Sequence, residues 1–393
     1  MGTPPALPSG ADVVVIGGGV VGTSVAFHLA EDGADVVLLE RDELGSGSSG
    51  KPIGGVRAQF SDPLNVALGA RSLRAYETFD RRPGHDIGLQ QVGYLFLLPT
   101  RADVDLFRDS VAMQNAQGVP SRLVDMAEAC RLNQFVDPGR YEAAAFSPED
   151  GWAYPGAVVT GYAEAARRLG ATIATGTTVM GLAVTDGRLT GVRTQRGTVA
   201  TTTVVCCAGA WSRTVGAMAG VHLPVEPVRR QIGFTGPVRR PAGSGRLPFT
   251  IDFGSTFYVH DTGGDAAADL LLGIADPHQA PGFDRTYDES WLPLLRSAAR
   301  VCTPALADVP VTRGWAGLYE MTPDHDAVIG EAAHVDRFLY ATGFSGHGFL
   351  QAPAVGEVVR DLVARRRPAI DVTALSAERF GATEVVPREA FII

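Results

Sequence analysis

Residues 12–40 constrain the fold more than any other part of the chain. Residues 12–16 read DVVVI, an apolar run suited to a parallel strand buried on both faces. It leads directly into Gly17-Gly18-Gly19-Val20-Val21-Gly22, a G-x-G-x-x-G turn. A helical pattern covers 23–32, Gly33 can close it in a left-handed cap, and 35–39 (DVVLL) form a second strand ending on Glu40. Each part has a physical task. Gly17 permits the tight turn. Gly19, lacking a Cβ, lets a pyrophosphate approach the backbone and the positive helix end. Gly22 lets helix and strand pack closely. Glu40 follows Gly22 at the distance where an acid accepts hydrogen bonds from ribose hydroxyls, and its charge opposes a 2′-phosphate. Strand, turn, helix, second strand and acid in register predict a dinucleotide-binding βαβ unit. The motif alone does not choose between flavin and nicotinamide dinucleotides.

The segment after Glu40 chooses. A Gly/Ser-rich loop, RDELGSGSSGK over 41–51, is followed by Gly54-Gly55-Val56-Arg57. Residues 203–207 form a strand followed by Ala208-Gly209-Ala210-Trp211-Ser212. Residues 314–324 read GWAGLYEMTPD, and a strand at 338–342 leads into Gly343-Phe344-Ser345-Gly346-His347-Gly348-Phe349, which opens a helix to about residue 364. Together these resemble the FAD-dependent amino-acid oxidase superfamily (D-amino-acid oxidase, glycine oxidase, sarcosine oxidase and dehydrogenase), most closely its sarcosine branch, from residue 12 to about 365. A glycine-rich turn at a helix N-terminus also suits a reduced flavin on physical grounds. Its free N–H groups amount to about +0.5 of an elementary charge facing the anionic N1–C2 region.

The resemblance implies a mixed architecture (α/β + α+β): a discontinuous Rossmann-like FAD-binding domain and an antiparallel-sheet substrate domain. The FAD domain is expected over 1–82, 151–222 and 327–393, with helices at 63–79 and 158–169 and a turn at Asp186-Gly187. The substrate domain is expected over 83–150 and 223–326, with a hairpin of 257–260 and 270–274 about a turn at 261–265. The cofactor contacts implied are Gly17, Gly19, Val20, Val21, Gly22, Glu40, Arg41, Ser48, Ser49, Gly50, Lys51, Gly55, Val179, Ala208, Gly209 and Trp211, then Gly317, Gly343, Ser345, Gly346, His347, Gly348, Phe349 and Leu350.

The activity implied is oxidation of a C–N bond: hydride passes from the carbon of a secondary amine or amino acid to flavin N5, giving an imine. Electrons then go to oxygen or another acceptor. Arg57 is the first candidate for a substrate carboxylate, because a guanidinium fork binds one bidentately; an FAD phosphate or the surface are its other places. Tyr258 and Tyr319 are pocket candidates, with core packing as the alternative. His347 lies in the flavin-facing turn, for substrate contact or a structural hydrogen bond. Three positions depart from the sarcosine oxidases. Gly317 replaces the cysteine that links FAD covalently, so non-covalent FAD is expected. Leu350 and Leu271 stand where lysines bind the carboxylate and activate oxygen. Lys51 could supply that activating charge, pair with a phosphate or lie exposed. A 2-hydroxy-acid dehydrogenase, an aromatic hydroxylase and an FAD-binding subunit of a hetero-oligomeric dehydrogenase are the rival readings; the hydroxylase lacks a segment specialised for NAD(P)H.

Composition excludes other classes. A net charge of −9 argues against nucleic acid. No apolar stretch is long enough to span a bilayer. Residues 1–10 lack an export signal, and Cys130, Cys206, Cys207 and Cys302 lack metal-ligand spacing, so buried thiols, no metal and a cytoplasmic location are expected.

Overall fold

The structure, a computed structural model, describes residues 6–51, 53–240, 245–263, 267–381 and 389–392 of the 393-residue chain. Its first layer is a six-stranded sheet. The strands run in the order Val328–Glu331, Phe338–Thr342, Val204–Cys206, Val13–Ile16, Val36–Leu39, Thr172–Ala174, all parallel except the first. The apolar runs follow from burial on both faces. Val13 and Val15 join one core with the helices Val20–Glu31, Pro155–Arg168 and Gly348–Val363. Val14 and Ile16 join another with Leu182, Leu189, Val192 and Val199 of a three-stranded antiparallel sheet. Successive side chains point to opposite faces, so a doubly covered strand has no polar position to spare.

Two helices start three residues before the pattern reading places them, at Val20 and Pro155, whereas the helix expected from residue 63 starts there. The first helix begins at Val20, inside the glycine turn, because Gly19 already has the extended backbone of an N-cap. It closes where expected, at Gly33 with φ +90° and its N–H on the Ala30 carbonyl (3.0 Å). Helix Pro63–Glu77 starts on Pro63 because Asp62 caps it, accepting from Leu64 N at 2.9 Å.

The second layer is an eight-stranded sheet in the order Val311–Met321, Glu226–Arg239, Ala267–Gly273, Tyr258–Asp261, Phe249–Asp252, Tyr94–Leu98, Ala143–Ser147, Arg122–Val124. Only Phe249–Asp252 and Tyr94–Leu98 run parallel. The hairpin pairs Tyr258 with Gly273 and His260 with Leu271; residues 264 and 265 of its expected turn lie outside the described residues. Among the described residues no helix is long and apolar enough to cross a membrane.

Candidate active site

A cavity of about 500 Å³ lies between the two layers. It begins at the end of Val13–Ile16, where three glycines are there for lack of space. A Cβ on Gly17 (φ +114°) would lie 2.3 Å from the Cys207 carbonyl oxygen, one on Gly22 1.9 Å from the Gly17 oxygen, and one on Gly19 2.9 Å from Ser49 Oγ. The rim around this cradle is polar. Gly18 N donates to Glu40 Oε2 (2.7 Å), Asp42 N to Glu40 Oε1 (2.8 Å), and Val20 N to Ser49 Oγ (2.9 Å). Ser48 Oγ is buried without a partner among the described residues. Arg41 pairs with Asp42 (3.0 Å) and stacks on Trp211, its guanidinium carbon 4.6 Å from the ring centroid. Val179 lines the same end with Thr177 and Thr178.

The strand Phe338–Thr342 brings the second glycine turn to the cavity. Gly343, Ser345 and Gly346 all have positive φ (+69°, +48°, +102°), folding the chain tightly before helix Gly348–Val363. A Cβ on Gly346 would lie 2.5 Å from Tyr319 Cε2, so the turn fits directly against that ring. Gly348, Phe349 and Leu350 line the cavity at the helix start, where backbone N–H groups have no intrahelical acceptor. A glycine cradle, an acid at its rim, an orphaned buried hydroxyl and a second helix start fit a phosphate-bearing dinucleotide with an electron-accepting ring.

The eight-stranded sheet roofs the other end. Tyr258, Tyr319, Tyr94, Phe249 and Arg230 line it. Burial raises the Tyr258 and Tyr319 phenols above their ordinary range, so both stay protonated and can donate. His347 is buried; burial first and the Arg57 charge second hold it well below its ordinary value. A neutral ring suits its contact, since Arg57 Nη2 lies 3.2 Å from its Nε2 and only the guanidinium can donate. Glu320, pushed up to about 6 by burial, accepts from Thr342 Oγ1 (3.0 Å) and Gly343 N (3.1 Å).

Of the residues singled out from sequence for the site, Gly22, Gly50, Leu271 and Gly343 do not line the cavity, and the other cofactor and catalytic candidates do. Gly22 and Gly50 allow backbone contacts with Gly17 and Gly45. Lys51 lies at the cavity mouth, exposed, its Cβ against Gly317; a Cβ on Gly317 would come within 2.7 Å of it. Arg57 lines the cavity but spends its guanidinium on the Gln59 carbonyl, the Phe391 carbonyl (2.6 Å) and His347. Sequence reading missed Arg230, Tyr94, Phe249 and Glu320. Only the strand of Glu320 was read from sequence; those of Tyr94, Arg230 and Phe249 were not, and which face each residue takes depends on register between distant segments.

Comparison with known proteins agrees with this geometry. Residues 12–362 match the model of the DAO family, described as FAD dependent oxidoreductase. The chain is 28% identical over 414 residues to mitochondrial dimethylglycine dehydrogenase of Mus musculus, covering 99% of the chain and 47% of that protein. It therefore spans about half the length of that relative. It is 29% identical over 376 residues to glycine oxidase of Geobacillus kaustophilus (strain HTA426), covering 94% of the chain and 97% of the oxidase. The crystal structure of L-proline dehydrogenase from P. horikoshii superposes with a TM-score of 0.90 at 33% identity, covering 96% of this chain and 100% of that one.

Proposed function

Because the chain belongs to the DAO family of FAD-dependent oxidoreductases, we propose that it oxidises the C–N bond of a secondary amine or amino acid to an imine, using non-covalent FAD. The observation that carries this reading is the continuity of the cavity. One space runs from the Gly17–Val21 cradle, past the helix start at Gly348, to Tyr258 and Tyr319 under the roofing sheet. When bound, FAD supplies a two-electron acceptor for the hydride leaving the substrate carbon.

The chain's own residues supply the rest. The Gly17–Gly19 turn and the amide of Val21 would hold the pyrophosphate, with Ser49 held beside it by the Val20 amide, and Glu40 would hold the ribose. The helix start at Gly348–Leu350 offers fixed partial positive charge without a mobile cation. The roof of Tyr94, Phe249 and Tyr258 excludes water. The two protonated phenols donate to a bound substrate, and neutral His347 leaves the amine's lone pair unopposed by a second cation. Gly317 supports the non-covalent assignment, because Lys51 already occupies the space a side chain there would need. Relatives named for dimethylglycine, glycine and L-proline favour a small amino acid, N-substituted, cyclic or unsubstituted, as substrate. Cys130, Cys206, Cys207 and Cys302 are all unpaired, in keeping with a cytoplasmic site of action.

The test is a flavin measurement in two parts. Acid denaturation should release intact FAD into the supernatant; flavin retained by the precipitate would refute the non-covalent assignment. Anaerobic mixing with L-proline, sarcosine, dimethylglycine and glycine should bleach the flavin with at least one of them. Bleaching by 2-hydroxy acids or NAD(P)H alone would reassign the site to one of the rival chemistries.

A further inference from the structure

Among the described residues, two carboxylates line the cavity, Glu40 and Glu320. The strand order says how they lie. Val36–Leu39, Val13–Ile16, Val204–Cys206 and Phe338–Thr342 are parallel neighbours in that sequence, so their C-terminal ends share one edge of the sheet. Glu40 follows the first strand, the Gly17–Gly19 turn the second, Ala208-Gly209 the third and Gly343 the fourth. Glu320 reaches that fourth end from the other layer. It sits on the roof strand Val311–Met321, and its Oε2 accepts from Thr342 Oγ1 at 3.0 Å and from Gly343 N at 3.1 Å. Its own carbonyl accepts from Ser345 N at 3.1 Å, and a Cβ on Gly209 would lie 3.5 Å from Oε2. The two acids therefore flank the glycine cradle, and each is fixed by the backbone N–H of a glycine turn, Gly18 for Glu40 and Gly343 for Glu320.

FAD has the same order of parts: ribose, pyrophosphate, ribityl chain, ring. With the pyrophosphate on the Gly17–Gly19 turn and the ribose on Glu40, the ribityl chain leaves toward Gly209 and Gly343. Two donors already fill Oε2 of Glu320. Oε1 keeps a lone pair, since the one further donor beside the carboxylate is the Phe344 N–H. An ionised carboxylate accepts and cannot donate. Phosphate oxygens repel it, and N1, N5 and the carbonyl oxygens of the flavin ring are acceptors themselves. In FAD at this end of the pyrophosphate, the ribityl hydroxyls and the ring N3–H remain as donors, and covering the acid without one would leave it desolvated and unsatisfied. We propose that Glu320 binds the ribityl hydroxyls of FAD, as the counterpart of Glu40 on the other side of the pyrophosphate. The assignment rests on FAD as the cofactor and on no particular substrate.

Apoprotein of the wild type, Glu320→Ala and Glu320→Gln is titrated with FAD, with ADP, which has no ribityl chain, with FAD analogues each lacking one ribityl hydroxyl, and with N3-methyl FAD. Glu320→Ala should raise Kd for FAD at least about tenfold, the loss expected of a hydrogen bond to a charged group, and Glu320→Gln by less. Kd for ADP should be unchanged in both. At least one deoxy analogue should bind wild type more weakly than FAD by a similar factor, yet bind Glu320→Ala as well as FAD does. Equal FAD affinity in wild type and Glu320→Ala overturns the assignment. So does a parallel loss of ADP and FAD, which would make Glu320 a brace for the Thr342–Gly343 turn. A hydroxyl whose removal costs as much in Glu320→Ala as in wild type also overturns it, and so does sensitivity of the wild type to the N3 methyl group alone, which would put the acid on the ring. No turnover is measured, so the C–N oxidation reading can fail without touching these outcomes.

Discussion

Glu40 does two jobs at the end of the second strand. One carboxylate oxygen accepts from Gly18 N and the other from Asp42 N, so the side chain fixes the glycine turn and the following loop together. A ribose held there would meet an acceptor already oriented by backbone donors. Glu40→Ala leaves both N–H groups without their acceptor, and should weaken FAD binding by about 1–3 kcal/mol. Titration of apoprotein with FAD checks this, and equal affinities would remove Glu40 from the cofactor site. This residue was legible because its position follows from chain geometry alone, at the tip of a strand beside the motif. Arg230 was not. Two adjacent arginines on a strand are equivalent in sequence, and only pairing with Val311–Met321 and Ala267–Gly273 decides which one faces inward. Arg57 was picked from sequence for its place after the loop, yet the packing of Phe391 onto it, from the far end of the chain, could not be read from local pattern.

Between elements, the link from Ala143–Ser147 to Gly151–Trp152 ties the roof to the flavin-side loop. Asp150 sits in that link, fully buried, with Oδ1 accepting from Ala58 N at 2.9 Å and Oδ2 without a hydrogen-bond partner among the described residues. Its carbonyl accepts from Gly93 N at 2.8 Å. Burial pushes its carboxyl from 3.8 up to about 7, with the Ala58 N–H and Ser147 pulling the other way. The folded state therefore prefers the neutral acid. Its stabilising contribution is complete below pH 3.8 and is lost as the pH rises through about 7. Across that window the site lowers unfolding free energy by at most about 1.4 kcal/mol per pH unit. Asp150→Asn should remove this slope. Urea unfolding of both proteins at pH 5 and pH 8 reads the difference directly, and His28 and Glu320, which titrate in both, cancel from it. Identical pH dependence in the two would show that Asp150 ionises freely in the folded protein. The short strands that frame this link were not read from sequence, and a buried carboxyl in a connecting turn has no sequence signal, because only the closure of two layers over it removes the water.

At the scale of the whole molecule, function depends on what the two layers bring together at their seam, and charge is scarce there. The chain has 34 basic residues but a single lysine, Lys51. It lies where the roof strand Val311–Met321 crosses the loop from the first layer. Its carbonyl accepts from Trp315 Nε1 (3.0 Å), its Cβ packs on Gly317, and its Nζ lies 5.8 Å from the Trp315 ring centroid. Leu271 and Leu350 are both buried apolar side chains, so neither brings a charge to the site. One-electron transfer to oxygen creates superoxide, and a nearby fixed cation lowers the barrier to forming that anion. Lys51→Met is therefore expected to slow reoxidation of the reduced holoenzyme by oxygen about tenfold, or ~1.4 kcal/mol. Reduction by substrate should change much less, because hydride transfer creates no anion at that position. Stopped-flow measurement resolves the two half-reactions. A wild type that reoxidises no faster than free reduced FAD would make the protein a dehydrogenase that passes its electrons to another acceptor. A fast wild type matched by an equally fast Lys51→Met would move the activating charge to Arg230 or to the helix start at Gly348.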